Sequence, residues 1–251
     1  MKLNSLLIPA LSAFAATAFA GEPAKAPAPV QPTEEPLGFT VSVGYDSNYV
    51  FRGVLFADNL VTAAIDGTLP LTDMLSLNVG AWYGTSADDS GVFGATGSFH
   101  ELDLYGALLA DLGPVTVGAK YTAYLYDGDA AVDDINEVGL IAAATVGPVD
   151  VTGGAYYDDA TDGFYFEAGV SKSIALCDRV SVVPAALVSF GDEYYGVSGF
   201  NHVKVGVSVP IKLTSTATLT PYVAGNLPID ALDALGEDER VYGGVTLSVS
   251  F

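Results

Sequence analysis

From Gly38 to the last residue, apolar and polar positions alternate in segments of about ten residues separated by short polar or glycine-rich breaks. Val115, Val117, Ala119, Tyr121, Ala123 and Leu125 fall on one face of such a segment, and Thr116, Gly118, Lys120, Thr122 and Tyr124 on the other. Period two is the mark of a β-strand whose two faces meet different surroundings. The pattern predicts strands at Phe39–Arg52, Asn59–Leu69, Leu75–Gly84, Phe99–Asp111, Val115–Tyr126 and Ile135–Val146. It continues at Val149–Tyr157, Gly163–Ile174, Val180–Phe190, His202–Leu213, Ala217–Ala224 and Arg240–Phe251.

The connections sort by length. Pro70–Asp73, Leu112–Pro114, Gly147-Pro148, Leu176–Asp178 and Thr214-Ser215 are short. Between them come longer acidic or glycine-rich links at Gly53–Asp58, Thr85–Ser98, Asp127–Asp134, Asp158–Asp162, Gly191–Gly199 and Asn226–Glu239. Short turns at one end and longer loops at the other characterise outer-membrane barrels, and a soluble sandwich has no reason to sort its loops so. The expected fold is therefore all-β, a closed antiparallel transmembrane β-barrel of about 12 strands over residues 38–251.

The final strand supports this placement. Tyr242, Gly244, Leu247, Val249 and the terminal Phe251 form an alternating, aromatic-ended segment of the kind read by the barrel-assembly machinery. At the other end, Lys2, the apolar run Leu3–Phe19 and Ala18-Phe19-Ala20 predict a signal peptide over residues 1–20, its core too short for a membrane anchor. Residues 21–37 carry Pro23, Pro27, Pro29, Pro32 and Pro36 and read as an extended periplasmic linker.

Composition narrows the function. Half the residues are hydrophobic, yet after the leader none of the apolar runs reaches the roughly 18 residues of a spanning helix. The formal charge is −21, one unit more negative once Lys2 leaves with the leader, which excludes nucleic-acid binding. Cys177 is the single cysteine, so the fold holds without an internal disulfide.

Strand parity sends Asp46, Arg52, Asp66, Glu101, Asp103, Lys120, Glu137, Glu167, Lys204 and Arg240 inward. One consequence is a pore lined by opposed charges and leaning toward cations. The other is a closed interior in which the same charges pair. Leu102, Leu104, Leu108, Val203, Val205, Val207, Val209 and Ile211 face lipid, with Tyr105, His202 and Ser208 inside.

The loop acids Asp88, Asp89, Asp127, Asp129, Asp133, Asp134, Asp158, Asp159, Asp162, Asp192, Glu193, Glu237, Asp238 and Glu239 read as solvated. A divalent-cation site is the alternative, but Asp127-Gly128-Asp129 lacks the downstream ligands of a Ca²⁺ loop, and no metal or other cofactor is expected. Hydrolase chemistry would have only His100 and His202 as bases, with Ser198 and Asn201 near His202 along the chain, and there is no Gly-x-Ser-x-Gly elbow.

The run Gly44–Gly53, with Tyr49-Val50-Phe51-Arg52-Gly53 at its end, resembles the opening strand of the TorF-like porin family. Glu101–Gly106 followed by Asp111–Val115 is similar to that family's next block, with echoes at Glu137-Val138, Gly147–Val149 and Tyr165–Val170. One departure is Leu55-Phe56, where the family often carries polar Ser or Gln. The resemblance implies an outer-membrane barrel and a porin, in a family that carries no well-defined substrate. Taken with the inward charges, the chain is expected to act as a passive channel, without catalysis, for small polar solutes or ions. The expected partners are outer-membrane lipid and lipopolysaccharide, the barrel-assembly machinery and the solutes themselves, with the protein a monomer or a homo-oligomer.

Overall fold

The computed structural model describes residues 38–87, 99–126 and 133–251. The leader, the linker and the loop acids Asp88, Asp89, Asp127 and Asp129 lie outside the described residues. Among the described residues, fourteen strand segments build the barrel. They are β1 (Phe39–Phe51), β2 (Val54–Pro70), β3 (Leu75–Ser86), β4 (His100–Asp111), β5 (Val115–Tyr126), β6 (Ile135–Val146) and β7 (Val149–Asp158). Then come β8 (Gly163–Ser171), β9 (Ile174–Cys177), β10 (Val180–Asp192), β11 (Gly199–Ser208), β12 (Ile211–Lys212), β13 (Ala217–Pro228) and β14 (Arg240–Ser250).

Twelve staves result, because β8 with β9 and β11 with β12 are single strands with a break. The second break falls at Val209-Pro210, where proline has no N–H for the ladder. Each stave is antiparallel to its neighbours, and β14 closes on β1 with Val43 opposite Leu247 and Tyr45 opposite Val245. The terminal residue completes that seam: Phe251 N–H donates to Phe39 O at 2.8 Å, and Gly38 N–H to Phe251 O at 3.1 Å.

Following ladder partners once around returns to β1 about 16 residues further along, a stagger that tilts twelve strands by about 40° and sets a backbone radius of about 12–13 Å. Val43, Ile65, Leu108, Leu140, Val170, Val205 and Val241 stand outward and exposed, as the lipid-facing parity predicts. Toward the loop end, outward tyrosines are tied to polar neighbours. Tyr45 donates to Asn59 Oδ1 at 2.7 Å, Tyr121 to Asn136 Oδ1 at 2.6 Å and Tyr157 to Asp162 Oδ1 at 2.6 Å. A ring with an apolar body and a hydrogen-bonded tip suits the edge of an apolar band.

Three connections differ from the sequence expectation. Gly53–Asp58 is not a loop: β2 begins at Val54, so β1 and β2 join through the two residues Arg52 and Gly53. Asn226–Glu239 contains the end of β13 and a short helix, α1 (Asp230–Leu235), stopped by Gly236 at φ 84°. Gly191–Gly199 holds one 3-10 turn at Tyr194–Gly196. Among the loop acids Asp158 is not solvated: it is buried, and its Oδ1 accepts from Ala160 N–H at 2.7 Å and Thr161 N–H at 2.9 Å.

Candidate functional site

The β1–β2 ribbon outruns the wall. Its ladder is regular to Tyr49 opposite Ala57, shifts register there, and resumes with Val50 opposite Leu55 and Phe51 opposite Val54. Such a bulge bends a ribbon and increases its twist. At the tip, Arg52 (φ 49°) and Gly53 (φ 91°) are both left-handed, as a two-residue type I′ hairpin turn requires.

Beyond the bulge the hairpin folds into the barrel. Tyr49, Val54, Phe56, Ala57 and Leu60 are buried in one cluster with Trp82, Phe99, Tyr105 and Leu232 of α1. Tyr49 lies 5.4 Å from the Trp82 ring and Phe51 5.7 Å from Tyr124, centroid to centroid. A tip this apolar gains by leaving water, at about 1.5–3 kcal/mol for each large side chain fully buried. Leu55 and Phe56, the departure from the resembled family, are among the buried residues.

The tip reaches the far wall. Counting staves from β1, those of β6 to β8 stand opposite. There the Arg52 guanidinium pairs with both oxygens of Glu137 on β6, Nη2 donating to Oε1 at 2.9 Å and Nη1 to Oε2. Nη1 also donates to Tyr194 Oη at 2.6 Å. Its Cζ lies 4.6 Å from the Tyr156 ring centroid, 4.5 Å from Tyr165, 5.3 Å from Tyr194 and 4.9 Å from Phe51. Cation–π attraction is strongest when the cation is stripped of water, and this side chain is 8% exposed. Tyr124 Oη donates to Glu137 Oε1 at 3.2 Å, and Asn226 Nδ2 donates to Gly53 O at 3.1 Å.

Arg52 is therefore not a wall residue of an unobstructed lumen. It is the tip of a hairpin that crosses the lumen, because the bulge and the I′ turn carry it off the wall. The other inward residues remain on the staves, in separate groups. Asp66 accepts from Tyr105 Oη at 2.9 Å and from Asn78 Nδ2 at 3.1 Å, and Lys120 Nζ lies 5.2 Å from the Tyr105 ring. Asp46 accepts from Tyr222 Oη at 2.5 Å, while Lys204 Nζ lies 5.6 Å from the Tyr242 ring. Glu167 accepts from Tyr156 Oη at 3.1 Å, which links it to the arginine cage.

Glu101 and Asp103, on β4 between Phe99 and Tyr105 of the hairpin cluster, are buried with no hydrogen-bond partner on their carboxylate oxygens among the described residues. Arg240 opens β14 with its Nε likewise buried and unpartnered among the described residues. Of the terminal-strand residues, Tyr242 is buried inside and Gly244 follows on the same face, while Leu247, Val249 and Phe251 have the outward parity.

Parity alone gave no sign of Tyr194 or Asn226, which carry so much of the docking. Tyr165 was within its reach, two residues from the inward acid Glu167, and so was Tyr156, on the parity of Asp150 and Thr152 in β7. Tyr194 sits in an irregular connection where period two has no meaning. His202 pairs with Ser189 Oγ at 2.8 Å rather than with Ser198, whose Oγ donates to Asp192 at 3.0 Å. The Ser189–His202 pair is buried against Gly53, where even a Cβ on the glycine would lie 2.7 Å from His202 Nδ1.

An all-β closed barrel of twelve antiparallel staves, apolar outside and charged within, has the architecture of a transmembrane β-barrel. Residues 31–209 match the Gcw_chp family, described as a bacterial protein of unknown function, and the chain belongs to that family. No curated protein matches the sequence. Among solved structures, the chain is similar to the KdgM porin at TM-score 0.53 and 6% identity, covering 84% of this chain and 99% of that one. The KdgM porin in complex with disordered oligogalacturonate gives TM-score 0.50 and 7% identity, over 84% of this chain and 99% of that one. The NanC porin gives TM-score 0.50 and 8% identity, over 85% of this chain and 98% of that one. These likenesses concern the fold.

Proposed function

We propose that this protein is an outer-membrane diffusion channel for small polar solutes or ions, with the β1–β2 hairpin as its constriction. The observation that carries the reading is the lumen wall below the hairpin. Asp46, Asp66, Lys120, Glu167 and Lys204 keep solvent-accessible surface on inward faces among Thr62, Thr116, Thr152 and Thr246. A barrel of this radius holds water wherever side chains do not fill it. Acids outnumber bases inside, which favours cations. The porin folds it resembles support the class, and Tyr49-Val50-Phe51-Arg52-Gly53 supports the narrower TorF-like assignment. On this reading the terminal strand engages the assembly machinery, and outward residues meet lipid and lipopolysaccharide.

Planar-bilayer recording tests it. Potassium chloride should give conductance above the bare bilayer, with a cation preference that falls in Asp46→Asn combined with Asp66→Asn, two acids that keep solvent-accessible surface on the lumen wall. Proteoliposomes should swell in small sugars. The docked hairpin favours a second reading, a barrel closed at its loop end and serving at the surface. Absence of both conductance and swelling would decide for that reading.

A further inference from the structure

The geometry points to a cation-binding station on the lumen wall, formed by Glu137, Tyr156, Tyr165 and Tyr194, that takes guanidinium groups and is occupied in this structure by Arg52 as a tethered ligand. This deepens the channel reading by naming a class of solute.

Three features carry it. First, the cage and its occupant belong to opposite sides of the barrel. Glu137, Tyr156 and Tyr165 sit on β6, β7 and β8, Tyr194 on the connection after β10, and Arg52 at the tip of the β1–β2 ribbon. Second, the chemistry is that of organic-cation recognition. Aromatic faces on several sides and a bidentate carboxylate satisfy a flat, weakly hydrated cation, whereas sodium or potassium would lose hydration with little return. Third, the occupant can leave without opening the barrel. Below the register shift β1 stays paired with both β2 and β14, whereas beyond it no ladder bond ties the tip to the wall among the described residues. The tip rests on the apolar cluster, on Arg52, on the Asn226 bond to Gly53 O and on a 3.4 Å contact from Tyr195 Oη to Phe51 O.

A tethered group on a short linker acts at an effective concentration in the millimolar range. A free cation of the same chemistry must therefore approach that concentration to displace Arg52. Removing Arg52 should expose the cage at lower concentrations. Displacement removes the ion pair and the cation–π contacts at the tip and so weakens the docking of the hairpin, which couples solute binding to the width of the lumen.

The single tryptophan makes this readable, since Trp82 packs on Tyr49 of the hairpin. Refolded protein, its folding checked by heat-modifiable mobility, is titrated with methylguanidinium, with sodium at equal ionic strength as the control. Binding is followed by saturation-transfer NMR and hairpin release by Trp82 emission. Arg52→Ala should bind methylguanidinium about tenfold more tightly than wild type, and Arg52→Ala with Glu137→Gln should lose that gain. Equal binding by those two variants would overturn the inference. Should Arg52→Ala fail to fold, wild type decides. Saturation transfer to methylguanidinium, with a Trp82 red shift that sodium does not produce as the hairpin loosens, supports the cage, and absence of both signals refutes it. Binding without any potassium chloride conductance would leave the cage standing and remove the channel reading instead.

Discussion

Arg52 and Glu137 show what a single pair decides. Both are nearly shielded from solvent, at 8% and 2% of side-chain exposure, so neither charge is tolerable alone. Taking one partner from a buried pair costs about 3–5 kcal/mol when the other charge has no escape. Arg52 does have one, because the hairpin can carry it back to water. Glu137 is fixed on β6 and has none. Arg52→Ala should therefore destabilise the barrel more than Glu137→Ala, and the double variant should lie well below the sum of the two. Urea unfolding in vesicles measures all three, and simple additivity would mean the pair does not form. A milder pH effect belongs to Asp159, outside the spanning strands. There the backbone N–H and side-chain amide of Asn136, at 2.8 and 2.9 Å, hold its carboxyl below the ordinary range. A lowered value contributes stability that is present above the unfolded carboxylate range and lost as pH falls through the folded value. Acid titration of wild type against Asp159→Asn should show that loss in wild type alone. Parity in the sequence placed Arg52 and Glu137 on inward faces. It could not say that they meet, because period two identifies a face and not what lies across the lumen.

At the scale of elements, the hairpin is the unit that matters. Gly53 sits at φ +91°, and a Cβ there would lie 2.4 Å from Leu232 Cδ1 as well as close to His202. Gly53→Val should therefore undock the tip on two counts, backbone strain and collision, while the staves stay paired. The expected outcome is a red-shifted Trp82 emission, larger single-channel conductance and unchanged heat-modifiable mobility. Unchanged emission would show that the tip is not held where Gly53 meets Leu232. The staves themselves were legible almost end to end, since each alternates over enough residues for period two to speak. The start of β2 was not. Val54-Leu55-Phe56 is apolar at consecutive positions because the inserted ribbon is covered on both faces, and a doubly covered strand does not alternate. Helix α1 was also missed, since six residues are less than two turns and leave no periodic signature.

For the molecule as a whole, two surfaces have to be right: the face toward lipid and the seam where the sheet closes. Leu140 on β6 is outward and 68% exposed, so Leu140→Arg should cost about 2–4 kcal/mol in bilayers near the midplane, and much less in detergent. The seam is tighter. β14 lies between β13 and β1, and it passes them with Gly243 and Gly244. A Cβ on Gly243 would lie 2.7 Å from Tyr222 O on one side, and one on Gly244 would lie 2.3 Å from Tyr45 O on the other. These obstacles are backbone, which cannot step aside without breaking ladder bonds. An open seam in a bilayer would leave N–H and C=O groups without partners, at several kcal/mol each. The two glycines thus let the last strand zip onto the first, a role that the alternation and terminal Phe251 did not reveal. Gly244→Val should sharply lower the fraction reaching the heat-modifiable folded form. Gly225→Ala on β13, whose new Cβ would find its nearest neighbour at 3.8 Å, should fold as wild type. If both fold equally well, the seam has slack, and closure rests on the pairing beyond the glycines, from Val245 to Ser250 on β14 against Thr40 to Tyr45 on β1.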